Sequence, residues 1–253
     1  NLPPHWIETC HSEAGAQAIV FALLLAQDEA LRNAELKQLR TACSEATYDL
    51  VSTLYPEVGS IHSTIKFSLV DLAIPTLRHL SHNGYEQFRA ITHQLIASDR
   101  QVDLFEFALL KVIHRHLDSY FEETPLPRMK YRNLKRLQNE ASILNSPMAA
   151  MSHPEDPDTI QTAFAGAASY VKSTARTSIR FCDASECCLQ EIETALAKFN
   201  EATPPVKRLL LEAASHCVLE DDGVSSREAE LIRATADAIG CPIPPFVKAA
   251  PIL

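Results

Sequence analysis

The sequence predicts an all-α fold, and three features of it lead there. Leu and Ala dominate the apolar residues, only six glycines occur in 253 positions, and turn-bounded Val/Ile/Thr alternation hardly appears. The expected organisation is an N-terminal helical bundle or solenoid-like segment over 1–81. A pseudo-duplicated helical region over 82–253 follows, with a flexible linker around 145–158.

Taken in order, Ser12 can cap a helix running to about Gln27, and Asp28 a second running to Cys43. Ser44 opens a third, which Pro56 stops. Residues 60–80 read as helix with a break near Pro75, and Ser81-His82-Asn83-Gly84 as a turn. Residues 85–98 form an amphipathic helix with Phe88, Ile91, Leu95 and Ile96 on one face. A short loop, Asp99-Arg100-Gln101-Val102, leads into a helix from Asp103 to about Leu117.

Helices are then expected around 132–144, 160–170 and 185–199. The stretch 145–158, with Pro147, Pro154 and Pro157, reads as an exposed linker. A helix over 205–220, the loop Asp221-Asp222-Gly223-Val224 and a helix over 225–239 follow. The proline-rich tail from Cys241 to Phe246 reads as an extended strap.

The two helix–acidic loop–helix stretches superpose without a gap at an offset of 122 residues. Asp99 falls on Asp221, Val102 on Val224, Asp103 on Ser225 and Glu106 on Glu228. Phe88, Ile96, Leu109, Leu110 and Leu117 fall on Leu210, Val218, Leu231, Ile232 and Ile239. Internal self-similarity of this kind is the mark of a duplicated supersecondary unit.

The shared acidic pattern has two readings. In the first, Asp103 and Ser225 are helix N-caps, with Glu106 and Glu228 completing capping boxes three residues on. Val102 and Val224 then act as hydrophobic staples, and Asp99 and Asp221 satisfy loop amides. In the second, a divalent cation is held by Asp99, Asp103 and Glu106, or by Asp221, Asp222 and Glu228. Hard cations such as calcium take six or more oxygen ligands, more than one copy supplies, so two copies would have to pool their carboxylates. Capping is the leading reading because it accounts for the register of these residues without a ligand.

Several chemistries are excluded by what the sequence lacks. There is no His-Glu-x-x-His, no Gly-x-Ser-x-Gly and no glycine-rich phosphate loop. His114 and His116 are two apart, so helical geometry points their rings in different directions. Seven scattered cysteines without framework spacing read as reduced, buried thiols.

A net charge of −9 argues against a nucleic-acid partner. The longest apolar run, 18–26, is about half of the roughly 20 residues that a membrane-spanning helix needs. No signal peptide or initiator Met is present, and the chain reads as a piece of a longer protein. Against the acidic background stands a basic cluster, Arg128, Lys130, Arg132, Lys135 and Arg136. It reads either as a solvated helix face or as a contact for an anionic membrane surface.

Two family resemblances attach to these stretches. Phe67-Ser68-Leu69-Val70-Asp71-Leu72-Ala73-Ile74-Pro75-Thr76-Leu77-Arg78, and Leu95 to Leu109 through Asp99 and Val102-Asp103-Leu104-Phe105-Glu106, resemble the C-terminal region of bacterial HtpX-like, CAAX-prenyl-protease-type membrane zinc metallopeptidases. So does the opening stretch Ala14-Gly15-Ala16-Gln17-Ala18. The acidic loops resemble the TerB-like helical fold, whose pattern is Ala-Asp-Gly-x-Val/Ile with a following Glu. Arg100 and Asp222 stand where that pattern has glycine, so the resemblance carries the fold further than it carries metal binding.

What the resemblance implies is a non-catalytic regulatory or protein-interaction domain, attached to a membrane-bound peptidase on the cytoplasmic face of the inner membrane. Zinc would belong to the separate peptidase domain, and this chain would need no cofactor of its own. Its partners would be that peptidase domain or protein substrates. The alternative is a self-contained TerB-like module for divalent-metal binding or stress response.

Overall fold

Side-chain caps set where the N-terminal helices begin. Ser12 Oγ accepts from the Gly15 amide at 3.1 Å and starts α2 (Glu13–Leu24), and Asp28 accepts from the Leu31 amide at 2.9 Å and starts α3 (Glu29–Ala42). A short helix α1 (Pro4–Cys10) precedes them, with proline in its first turn. Ser44 Oγ accepts from the Thr47 amide at 3.2 Å at the start of α4 (Glu45–Val58). Helices α5 (Ser63–Leu77), α6 (His82–Ser98) and α7 (Leu104–Phe121) follow.

These features come from a computed structural model that describes residues 2–58, 61, 63–98, 104–122, 128–152, 157–218 and 226–242. The chain is all-α, and among the described residues there are twelve α-helices and one 3-10 turn with no strand. It divides into two compact units, Asn1–Pro125 and Leu126–Leu253. The division falls at 125/126 instead of 81/82 because α6 and α7 pack on α2, α3 and α5 and therefore belong to the first unit.

In the first unit α2 is buried almost all round, from Ala18 to Leu24, as befits a central helix covered by α1, α4, α5 and α6. Phe21 of α2 stacks on Phe88 of α6 with ring centroids 5.5 Å apart. The first turn of α2 approaches α1 so closely that only glycine fits there, since a Cβ on Gly15 would lie 2.1 Å from the Thr9 carbonyl oxygen. Glu35, buried on α3, accepts from the Ala26 amide at 2.9 Å and ties down the turn after α2.

The prolines interrupt less than the sequence implied. Pro56 and Pro75 both sit in the last turn of their helices, α4 and α5, where each removes one amide donor and only two helical residues follow the break. Ser81 begins a helix instead of a turn: its Oγ accepts from the Gly84 amide at 3.1 Å and α6 starts at His82.

The second unit opens with a 3-10 turn, Leu134–Leu137, and continues as α8 (Gln138–Ser152), α9 (Pro157–Ala175), α10 (Leu189–Asn200), α11 (Pro204–Val218) and α12 (Ser226–Ala238). The expected linker over 145–158 is corrected here. Residues 145–152 are the second half of α8, Pro157 already begins α9, and 153–156 lie outside the described residues. Ala141, Leu144, Asn145, Met148 and Ala149 form one buried face at helical spacing, packed on α9, α10 and α11. Asn145 joins that face by donating its amide to the Ala141 carbonyl at 2.8 Å.

Helix α12 ends as a Schellman motif. Gly240 has φ 76°, its amide reaches the Asp237 carbonyl at 2.8 Å, and the Cys241 amide reaches Ala236 at 2.7 Å. The strap expected from Cys241 onward lies almost wholly outside the described residues.

The duplication is longer than the two acidic-loop hairpins. At the same offset of 122 residues, α5 falls on α10, α6 on α11 and α7 on α12 without a gap. Within each unit the paired positions are buried alike: Ala73 and Ala195, Leu77 and Phe199, Phe88 and Leu210, Leu109 and Leu231, Leu117 and Ile239. Ser81 and Thr203, one before α6 and one before α11, also correspond. In the first unit the earlier helix α2 packs on α5 and α6 of this motif, and in the second unit α8 packs on α10, α11 and α12.

Candidate functional site

Several side chains able to do acid–base chemistry in the first unit hold α6 to α7. Thr92 Oγ1 donates to the Arg89 carbonyl at 2.9 Å, and the same oxygen lies 3.0 Å from His114 Nε2. Having one hydrogen, already used, the hydroxyl accepts from His114, which places the imidazole proton on Nε2. His114 is buried, and its ring centroid lies 4.8 Å from that of His93. Burial, followed by the neighbouring His93, Lys111 and Arg89, pushes its pKa down to about 2, so the ring is neutral.

One turn away, the Tyr85 hydroxyl donates to Asp118, while Arg89 bridges Asp118 at 3.7 Å and Glu122 at 2.6 Å. The Tyr85 ring stacks on Phe121 at 4.5 Å. Burial, then the Asp118 carboxylate, drives the phenol well above its usual range and keeps it a neutral donor.

A similar triad occurs in the second unit. The Tyr170 hydroxyl donates to Glu212, and Arg208 Nε holds the same carboxylate at 2.8 Å. His216 lies over Tyr170 with ring centroids 4.7 Å apart. Tyr170 first and Arg208 second lower the Glu212 pKa.

The cysteines are free thiols, with Cys10, Cys182 and Cys217 buried and Cys188 exposed. Burial pushes Cys10 up to about 11 and Cys217 to about 12. Cys187 rises to about 12 for the same reason, reinforced by Cys182. Such thiols stay protonated, which disfavours both nucleophilic attack and metal ligation. The loop carrying Cys182 is fastened to α8 by two hydroxyls. Ser142 accepts from the Arg180 amide at 3.1 Å and Ser146 from the Cys182 amide at 2.9 Å. Sequence reasoning missed this use of Ser146 because it placed that residue in a linker.

Of the six acidic residues singled out as caps or cation ligands, Asp99, Asp103, Asp221 and Asp222 lie outside the described residues. Glu106 stands in the first turn of α7, with its side chain outside the description. Glu228 is half-buried in the first turn of α12, where a carboxylate favours the helix dipole. Among the described residues, no three His, Cys, Asp or Glu side chains gather in a way that could hold a metal ion.

The basic cluster is the most distinctive exposed feature. The sequence placed it along a helix face, but most of it lies on extended chain and a 3-10 turn. Lys130 and Tyr131 donate their amides to the Glu201 carbonyl at 2.8 and 3.3 Å, and Thr203 returns a bond to Tyr131 at 2.9 Å. Asn133 then caps the turn by accepting from the Lys135 amide at 2.8 Å. Leu134 and Leu137 point inward and are buried, which leaves Arg132, Lys135 and Arg136 exposed. Lys130 pairs with Glu201 at 2.7 Å. Met129, between Arg128 and Lys130, is 60% exposed.

Comparison with protein-family models, curated proteins and solved structures finds no match.

Proposed function

We propose that this chain is a non-catalytic regulatory or protein-interaction region of a membrane-bound zinc metallopeptidase. The observation that supports this most is how the reactive side chains are used. His114 donates to Thr92, Tyr85 and Arg89 share Asp118, and Tyr170 and Arg208 share Glu212; each joins neighbouring helices. A side chain locked into a neutral or fully paired state is poorly placed to move a proton for a substrate. The resemblance of 67–78 and 95–109 to the HtpX-like C-terminal region supplies the parentage. Those segments include most of α5, the last four residues of α6 and the start of α7, helices of the duplicated motif.

The zinc of such a peptidase has no ligand set here, because the sequence contains no His-Glu-x-x-His. The chain would act by contact with the peptidase domain, with protein substrates or with other proteins. Among the described residues no helix is long and apolar enough to cross a membrane.

Incubation of the chain with zinc and an unfolded protein substrate tests the reading, and the expected outcome is no cleavage. Robust hydrolysis would sink it. Calorimetric titration with calcium, magnesium and zinc separates it from the self-contained metal-binding module. Tight binding lost on Asp221→Ala and Glu228→Ala would favour that module instead.

A further inference from the structure

We infer that the exposed segment 128–136 docks on an anionic lipid surface. The proposal stands on the second unit alone and does not depend on the peptidase parentage. Five cations, Arg128, Lys130, Arg132, Lys135 and Arg136, occupy nine positions without one Asp or Glu among them. The whole chain carries −9, so attraction for anions is concentrated at this segment.

Two structural features turn this composition into a surface. From Lys130 onward the backbone of the segment is fixed, by pairing of Lys130 and Tyr131 with 201–203 on one side and by inward-facing Leu134 and Leu137 on the other. Lys130, Arg132, Lys135 and Arg136 are therefore presented from a rigid support, and less chain entropy is lost on docking. Among the described residues no carboxylate pairs with Arg128, Arg132, Lys135 or Arg136, while Lys130 is held by Glu201.

Charge complementarity alone would also suit an acidic polypeptide, and Met129 decides between the two. Its thioether side chain is 60% exposed among the cations. A bilayer offers phosphate and carboxylate groups at every lateral position, with an apolar layer just beneath them. Arginine forks can bind the phosphates while Met129 enters that layer. An acidic peptide would have to match the spacing of the cations and would leave Met129 against polar groups.

The test is co-sedimentation of the full chain with vesicles of phosphatidylcholine, with and without phosphatidylserine. Binding is expected only to the phosphatidylserine vesicles and should weaken as salt rises. Neutralising single residues, Arg132→Gln or Arg136→Gln, should each weaken binding by about fivefold, the worth of one basic residue near such a surface. The triple reversal R132E/K135E/R136E should abolish it, and Met129→Ser should weaken it while leaving the charge unchanged. Circular dichroism checks that each variant is folded; if the triple reversal does not fold, the graded single losses carry the test. Absence of wild-type binding to phosphatidylserine vesicles overturns the proposal, whether or not polyglutamate is bound. Equal binding to phosphatidylcholine alone, or single variants that bind like wild type, also overturns it.

Discussion

Thr92 Oγ1 lies 3.0 Å from His114 Nε2 in the interior of the first unit, and the imidazole donates that bond. The pair joins α6 to α7 where the second unit has Ala214 and Ala236 at the corresponding positions, both fully buried. At these positions one copy of the motif carries a hydrogen-bonded polar pair and the other two buried alanines.

The pH dependence of stability follows from His114. Its folded-state pKa of about 2 lies below the ordinary 6.5, so between those values the unfolded chain binds a proton that the folded chain refuses. Stability should therefore be lost as pH falls below about 6.5, with this residue contributing up to about 1.4 kcal/mol per pH unit. Urea unfolding at pH 7, 6 and 5 should show the slope, and His114→Gln should reduce it. A variant with an undiminished slope would mean that His114 is accessible to protons in the folded state.

Tyr85→Phe keeps the ring stacked on Phe121 and removes only the hydroxyl bonded to Asp118. The expected loss is about 1–2 kcal/mol, since Asp118 keeps Arg89 as a partner. Asp118→Ala should cost a similar amount, and the double variant less than the sum, because both changes break one network. Strict additivity in denaturant unfolding would contradict the arrangement.

Met148→Ala tests the helical reading of the segment that looked like a linker. Met148 is 1% exposed on the face of α8, so truncating it should cost about 2–5 kcal/mol. Chemical denaturation measures this directly. A change below about 0.5 kcal/mol, typical of exposed positions, would return 145–152 to the surface.

The fold class and the duplication were legible because both rest on the spacing of apolar residues. Phe88, Ile91, Leu95 and Ile96 repeat at helical intervals, and their equivalents recur 122 residues later. The extension of the repeat to α5 and α10 was harder to see. Leu69 falls on Glu191 and Ser68 on Gln190, and only burial shows that Ala73, Leu77, Ala195 and Phe199 are the positions that matter.

The second half of α8 was illegible for a different reason. Asn145, Ser146 and Pro147 together imitate a loop, yet Asn145 and Ser146 satisfy their polar atoms against α8 itself and the loop at Cys182. Sequence alone cannot reveal that a buried amide has found its partner. The basic segment was found by composition, but its support came from Glu201 and Thr203, some seventy residues away in the chain. The acidic loops 99–102 and 221–224, with their two readings as helix caps or cation ligands, lie outside the described residues.

The chain is organised into two helical units, each containing the same three-helix motif. Producing Asn1–Pro125 and Leu126–Leu253 as separate chains and following far-UV circular dichroism against temperature tests this organisation most directly. Each fragment is expected to be strongly helical and to melt in its own cooperative transition. A fragment that is unfolded alone, and becomes helical only when mixed with the other, would contradict the division.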